Sequence, residues 1–403
     1  MHTRSKDYDD IKPLVELCKQ GKLFEAQAWI AAGKSINPPE KPEKKAPYKS
    51  PLKIAIDKGF HSLTEILLDA GAIIKDDAYN ALQHALDSRR FDLIKLLIEH
   101  GADIKSVDMG LVFDTWDPVI MEYFIENGAD VETGHPLAAA LCWKIRTTLG
   151  IFKKYKDQFP SFQEQVNIAL RHHCKEGSLK WVSLLLWAGA DPFAKGPDTP
   201  GASPDPEEED MCALEYAALY HRFDIFKLKQ IKITPDHPIA HDLLCNACRA
   251  DKADFLIELI NQGFNPAEQK DHGTSLIRAC LINLQWNINF DLFGRLRHDN
   301  DSTRSREALK MIHILAKNGA KWMPVERYEI NDARRALLKV KDEYTVEFAW
   351  IMATYNSCSR ESIEQLLKTP TIRKHTAKYQ ARINELLKGF IQSSDEVPAS
   401  MET

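Results

Sequence analysis

His241, Cys245 and Cys248 have the residue types of a zinc site, with Cys280 further along the chain. At i, i+4 and i+7 the first three share one helix face, and imidazole with thiolates is a zinc donor set. Cys248 and Cys280 directly follow alanines, Ala247 and Ala279, just as Cys18 follows Leu17 and Cys174 follows His173. A recurring position of that kind is a packing position, so these cysteines read as buried, reduced thiols and no metal is expected. His172-His173-Cys174 sets imidazoles beside a thiol, the pairing that activates a nucleophile. Here too a packed or partly exposed histidine is the expectation. Asp76-Asp77 is a carboxylate pair in a loop with no third group near it in sequence. The chain has no phosphate-cradling G-x-x-x-x-G-K-[ST] loop, no G-x-S-x-G elbow, no H-E-x-x-H and no dinucleotide glycine fingerprint. Neither an enzyme nor a cofactor is expected.

The elements that would position these side chains repeat. Asn80 to Asp103 holds two short apolar-periodic segments, Ala81-Leu82 with Ala85-Leu86, then Phe91 with Leu93-Ile94 and Leu96 to Ile98. A polar break separates them, and Gly101 ends the second as a left-handed cap. A helix pair of this size cannot bury its stripe alone, so it needs copies on either side. Gly59 precedes Gly71 by twelve positions. Gly21–Gly33 and Gly177–Gly189 keep that offset. So do Arg89–Gly101, Trp116–Gly128, Asp251–Gly263 and Glu307–Gly319, with the first glycine replaced. Leu17, Ala55, Ala85, Val112, Ala140, Ala217 and Ala247 recur four places before the turn. Copies lie about 27 to 44 residues apart, a solenoid period.

The chain resembles the ankyrin-repeat proteins. The family's T-P-L-H-x-A signature stands here as Ser50-Pro51-Leu52-Lys53-Ile54-Ala55, and more weakly from Asn80 and from Thr274. Its L-L-x-x-G-A-D ending stands as Leu97 to Asp103 and returns at Phe124 to Asp130 and Leu185 to Asp191. The signature histidine is missing at nearly every copy, and several loops are long, so the individual repeats are degenerate. The resemblance implies an all-α fold: an ankyrin-like α-solenoid of stacked helix-turn-helix repeats with β-turn or loop fingers and a helical C-terminal cap. The repeat array is expected over 10–323 in about nine units, a helical C-terminal unit over 324–390 and a disordered tail over 391–403.

Three long loops interrupt the array. The Pro/Lys-rich insertion 37–49 reads as an exposed loop, with a basic finger touching a partner as the alternative. The stretch 195–210, rich in Pro, Gly and acid, reads as solvated and disordered. The insertion 285–306 carries Trp286, Phe290, Phe293, Arg295 and Arg297; it is expected to fold back on its own repeat, with an interface, which its composition resembles, as the alternative, and the second helix of that unit is expected to resume near Ala308. Beyond it, Asn331 to Lys341, Thr345 to Thr354, Ser359 to Lys368 and Thr371 to Lys388 read as helices, the last one basic, and Cys358 to Pro370 loosely keeps the repeat offset.

The 403 residues are 44% apolar and carry a formal net charge of −5, which makes nucleic-acid binding by the whole chain unlikely. Irregularly spaced cysteines, the absence of an apolar leader and the lack of a long apolar run imply a cytoplasmic chain, or one delivered to a host cytosol if it is a pathogen effector. No membrane span is expected. The resemblance implies a protein–protein interaction scaffold, monomeric on its own, that binds another protein through a concave surface and loops. The family's contact positions, just after the small residues of each first helix, fall here on Asp57, Lys58, Asp87, Ser88, Cys142, Trp143, Lys175, Glu176, Leu219, Tyr220, Arg249 and Ala250. Of these, Trp143, Lys175, Tyr220, Arg249, Asp87 and Asp57 are the expected partner-binding residues. The alternative is a targeting array for a separate C-terminal domain over 331–388, catalytic or nucleic-acid binding.

Overall fold

The computed structural model describes residues 4–40, 49–76, 79–202, 211–250, 252–267, 275–286, 301–323 and 342–367, with isolated positions 330, 333 and 385. The chain forms two compact units, 1–173 with 180–210 and 174–179 with 211–403.

In the first unit, short helices alternate: α1 (Lys12–Lys19), α2 (Leu23–Ala31), α3 (Pro51–Lys58), α4 (His61–Asp69), α5 (Ala81–Asp87), α6 (Phe91–Glu99), α7 (Met109–Phe113), α8 (Pro118–Glu126), α9 (Pro136–Cys142) and α10 (Thr148–Tyr155). They are followed by α11 (Ser161–Glu176) and α12 (Leu179–Ala188). First helices pack on first helices, α1 on α3 and α3 on α5, while α2 packs on α4 and α4 on α6. The small slot makes this approach feasible: Ala55, Ala85 and Ala140 are buried there. Leu17, at the end of the row, is only half-buried.

One turn recurs after six of the first helices. The carbonyls of Leu17, Ala55, Ala85, Ala140, Ala217 and Ala247 accept from the amides of Lys22, Phe60, Arg90, Ile145, Arg222 and Lys252 at 2.7–3.2 Å. This is the six-to-one bond of a Schellman ending, and it needs a left-handed residue just before the donor. Glycine fills that place at Gly21 and Gly59, and Arg89, Lys144 and His221 fill it with the same positive φ at a cost of about 1 kcal/mol each; Gly177 and Trp116 share the positive φ. The second helices end alike, with Leu67, Leu97, Phe124, Leu185 and Leu259 accepting from the residue five further on.

Side-chain amides wire the fingers. Strands β1 (Lys75–Asp76) and β2 (Tyr79–Asn80) pair antiparallel, Lys75 opposite Asn80. Asn80 caps α5 through the Leu82 amide and donates to the Ser106 carbonyl at 3.1 Å. Asn37 receives the Ile73 amide at 2.8 Å and donates to Gly71 O at 3.1 Å. The start of the 37–49 insertion is therefore packed, with Ile36 and Asn37 buried; 41–48 lie outside the described residues. The stretch after residue 194 also departs from expectation. Arg171, fully buried, donates to the Ala194 and Pro197 carbonyls at 2.9 and 2.7 Å and pairs with Glu164. Gly201 N reaches His135 Nδ1 at 3.3 Å. Residues 195–202 are thus fastened by a buried arginine; 203–210 lie outside the described residues.

The second unit contains α13 (Ala213–Leu219), α14 (Ala240–Arg249), α15 (Ala253–Asn261), α16 (Leu276–Trp286), α17 (Asp301–Lys317), α18 (Asp342–Thr354) and α19 (Arg360–Leu367). The helix expected after α13 is a short 3₁₀ segment, Phe223–Lys227. Glu307 is inside α17, not at a turn, because that helix starts at Asp301 rather than near Ala308. The residues Phe290, Phe293, Arg295 and Arg297 of the 285–306 insertion lie outside the described residues. The helix α18 packs on α17 and on α19. Its turn residue is Asn356, with Ser357 N bonded to Met352 O at 2.9 Å, so the unit placed loosely at Cys358 begins two residues earlier. The expected helices 331–341 and 371–388, and the tail 391–403, fall on positions that are not described beyond single residues.

Candidate functional site

The expected contact residues gather in two places and leave one alone. In the first unit, Asp57 and Asp87 meet on His84: its Nε2 is 3.0 Å from Asp57 Oδ1, and its Nδ1 is 4.0 Å from Asp87 Oδ2. His84 is half-buried, edge-on to the Tyr79 ring. Sequence reading missed it, although its i, i+3 spacing to Asp87 was visible. Trp143 stands apart with 73% of its surface exposed. Cys142 beside it is buried, contrary to its expected place among the contact residues, because one helical step of about 100° turns it into the core.

In the second unit the Lys175 ammonium lies 5.2 Å from the centroid of Tyr220 and 5.9 Å from that of Tyr216. The two tyrosines, four residues apart at the end of α13, share a helix face. Arg222 follows the turn and donates through Nε to the Lys175 carbonyl at 3.0 Å. Tyr220 is 42% exposed, and Arg249 is exposed at the end of α14, which packs on α13. Tyr216 and Arg222 were not singled out from sequence, since only stacking of one repeat on the next brings them to Lys175.

The residues with catalytic or metal-binding types are placed for packing. Cys18, Cys142, Cys212 and Cys358 are buried, and burial pushes each thiol up to about 12. Cys174 is raised by the same cause. Such thiols are not nucleophiles near neutral pH. His173 is fully buried, with Nε2 3.0 Å from Leu141 O and its ring stacked on Trp181. His241, Cys245 and Cys248 are buried on α14, and Cys280 is buried on α16. Among the described residues no three His, Cys, Asp or Glu side chains close on a metal-ion position. Asp76 is bonded to Arg4 at 3.3 Å; Asp77 lies outside the described residues. No helix among the described residues is long and apolar enough to cross a membrane.

The family model for ankyrin repeats in three copies matches residues 14–108, the α1–α6 stack. The chain carries ankyrin repeats. It is 28% identical over 227 residues to an ankyrin repeat and KH domain-containing protein of Caenorhabditis briggsae, which covers 53% of this chain and 8% of that protein. It is 32% identical over 92 residues to dynein axonemal heavy chain 12 of Bos taurus, 21% of this chain and 26% of that one. The chain therefore spans 8% and 26% of these relatives' lengths. Among solved structures, the human ASB11 ankyrin repeat domain aligns with TM-score 0.36 at 19% identity, over 49% of this chain and 94% of that one. Ankyrin repeats are a general protein–protein interaction module, typically without catalysis. In this array the helix ends and turns, not the buried cysteines and histidines, face outward.

Proposed function

We propose that this chain is a protein–protein interaction scaffold, an adaptor, inhibitor or effector, that holds one partner protein on the exposed ends of its first helices. The observation that carries it is the Lys175–Tyr220 pair. Two residues expected to contact a partner, from consecutive repeats, meet at the surface with the cation over the ring. Tyr and Arg dominate interface energetics, and Tyr220 and Arg249 are both exposed. Trp143, Asp87 and Asp57 belong to the same proposal as a surface of the first unit. Residues 342–367 support a capping role over a separate C-terminal activity, since they repeat the hairpin turn and pack on α17. A cytoplasmic location is part of the proposal and rests on the eight buried cysteines, which read as reduced thiols.

The test is affinity capture from the native cell with the intact chain and with Tyr220→Ala/Arg249→Ala. A partner protein should be recovered by the wild type. The double variant should bind it at least about 2 kcal/mol more weakly at an unchanged Tm. Recovery of no protein, with the purified chain turning over a substrate, would overturn the proposal.

A further inference from the structure

Arg222 is exposed and yet held. Its Nε is bonded to the Lys175 carbonyl, and its Cδ stands 2.7 Å from where a Cβ on Gly177 would be. Among the described residues nothing accepts from its Nη1 and Nη2. A guanidinium fixed along one edge, with its outer fork open, is preorganised for two parallel hydrogen bonds to a carboxylate. Beside it the Lys175 ammonium sits over Tyr220, and one repeat further on Arg249 is exposed.

We propose that this face of the second unit binds an acidic segment of the partner protein, one carboxylate seated on the Arg222 fork and a second on Arg249. The inference rests on the scaffold reading and adds the chemistry of the partner. Charge complementarity carries it. Over the helix ends and turns of these three repeats, the described cations Lys175, Arg222, Arg249 and Lys252 outnumber the described carboxylates Glu176 and Asp224. Successive repeats advance by about 10 Å, the helix–helix spacing. An extended chain covers that distance in about three residues, so the motif is a pair of acids separated by a few residues. A nucleic acid fits less well, because the chain as a whole carries net charge −5.

The experiment selects binders to the intact chain from a displayed random-peptide library. The selected peptides are then titrated by fluorescence polarisation against wild type, Arg222→Gln and Arg249→Gln, with Tm measured for each. Peptides carrying paired Asp or Glu should be enriched, weaken about tenfold or more on each variant, and lose affinity with salt. Arg222→Gln also removes a bond to the Lys175 carbonyl, so Arg249→Gln, which breaks no bond among the described residues, keeps the test independent of folding. Enriched peptides without acids, or acidic peptides that bind both variants as well as wild type, overturn this inference and leave the scaffold reading standing. Displacement of the peptide by a single-stranded oligonucleotide of higher affinity overturns it in favour of a nucleic-acid face. Failure of any peptide to enrich, together with no partner from the native cell, removes both.

Discussion

Arg222 lies across Gly177. A Cβ on that glycine would meet the arginine Cδ at 2.7 Å, and Gly177 already sits at φ +76°. The same relation recurs one residue past each turn: Phe60 covers Gly21 with Cζ 3.1 Å from the missing Cβ, and Arg90 covers Gly59. At these three turns the residue after the turn lies on the turn glycine of the repeat before. The glycine is required twice, by its conformation and by its neighbour. Gly33, at φ +68°, has nothing within 4 Å of a built Cβ and is required only by conformation.

Gly33→Ala should therefore cost about 1 kcal/mol, the left-handed penalty alone. Gly177→Ala should cost clearly more, about 2–3 kcal/mol, because Arg222 must also move. In a double-mutant cycle with Arg222→Ala, measured by urea denaturation, the excess should vanish. Equal costs for the two glycines would mean that the arginine does not rest on the turn.

Ala85 is fully buried in the slot between neighbouring first helices, and its carbonyl closes the turn through Arg90 N at 3.2 Å. Ala85→Asp puts a carboxylate there with no partner and should cost several kcal/mol or abolish soluble expression, about the upper range for a single substitution. A Tm within about a degree or two of wild type would show the slot to be open to water.

The array was legible because its strongest constraints are local. A left-handed position and a small residue four places earlier can be read from Gly59 and Ala55, and the offset carried the register through Arg89 and Trp116, which take positive φ. Glu307 failed because the twelve-residue offset counted back from Gly319 assumes a short second helix, whereas α17 already begins at Asp301. Of the candidate site, the exposure of Trp143, Tyr220 and Arg249 followed from position, whereas Cys142 fell on the buried side of the same helix end. The groups that complete the site, His84, Tyr216 and Arg222, are joined by contacts between repeats, which no single repeat encodes. Arg171 was not singled out from sequence for a related reason. An arginine in a polar run reads as surface, and only the carbonyls of Ala194 and Pro197, far along the chain, explain its burial.

Those carbonyls make a prediction that reverses the sequence expectation for 195–210. Arg171→Met should destabilise the first unit by about 2–4 kcal/mol, since two carbonyls lose a charged donor and Glu164 loses its partner. Deleting 197–202 should have a comparable effect by stripping the arginine of its acceptor at Pro197. Denaturation curves that superimpose on wild type would mean that the guanidinium and carbonyls rehydrate without loss.

His100 contributes a pH-dependent term. Its Nε2 is 3.1 Å from Asp69 Oδ1 and its Nδ1 is 2.8 Å from Leu96 O. Both partners are acceptors, so the protonated ring, which can donate from both nitrogens, is the form they favour. The hydrogen bond to Asp69, then that to the Leu96 carbonyl, raises its pKa above the ordinary value. A raised pKa favours the folded state below the unfolded value of about 6.5, and that stabilisation is lost as pH rises through the folded value. The pair is partly exposed, so the effect should stay under about 1 kcal/mol. Wild type minus His100→Gln should therefore differ most near pH 5–6 and converge at alkaline pH, to about the precision of denaturation. A difference that grows with pH would reverse the sign and exclude the imidazolium.

Two tryptophans of the first unit separate packing from recognition. Trp181 is buried and stacks on His173, ring centroids 5.4 Å apart, while Trp143 is 73% exposed at the end of α9. Truncating Trp181 to alanine removes a large buried side chain and should cost about 3–5 kcal/mol. Truncating Trp143 removes a ring with little to bury and should leave stability within about 0.5 kcal/mol of wild type. The indole fluorescence should distinguish them as well: acrylamide quenching should fall in Trp143→Ala, which loses an accessible emitter, and should persist in a folded conservative variant, Trp181→Phe. If Trp143 belongs to the partner-binding surface, its truncation weakens binding of the captured partner by about 2 kcal/mol or more while Tm holds. A fall in Tm together with binding would show instead that the ring packs beneath a neighbouring loop, and the surface of the first unit would then reduce to Asp57, His84 and Asp87.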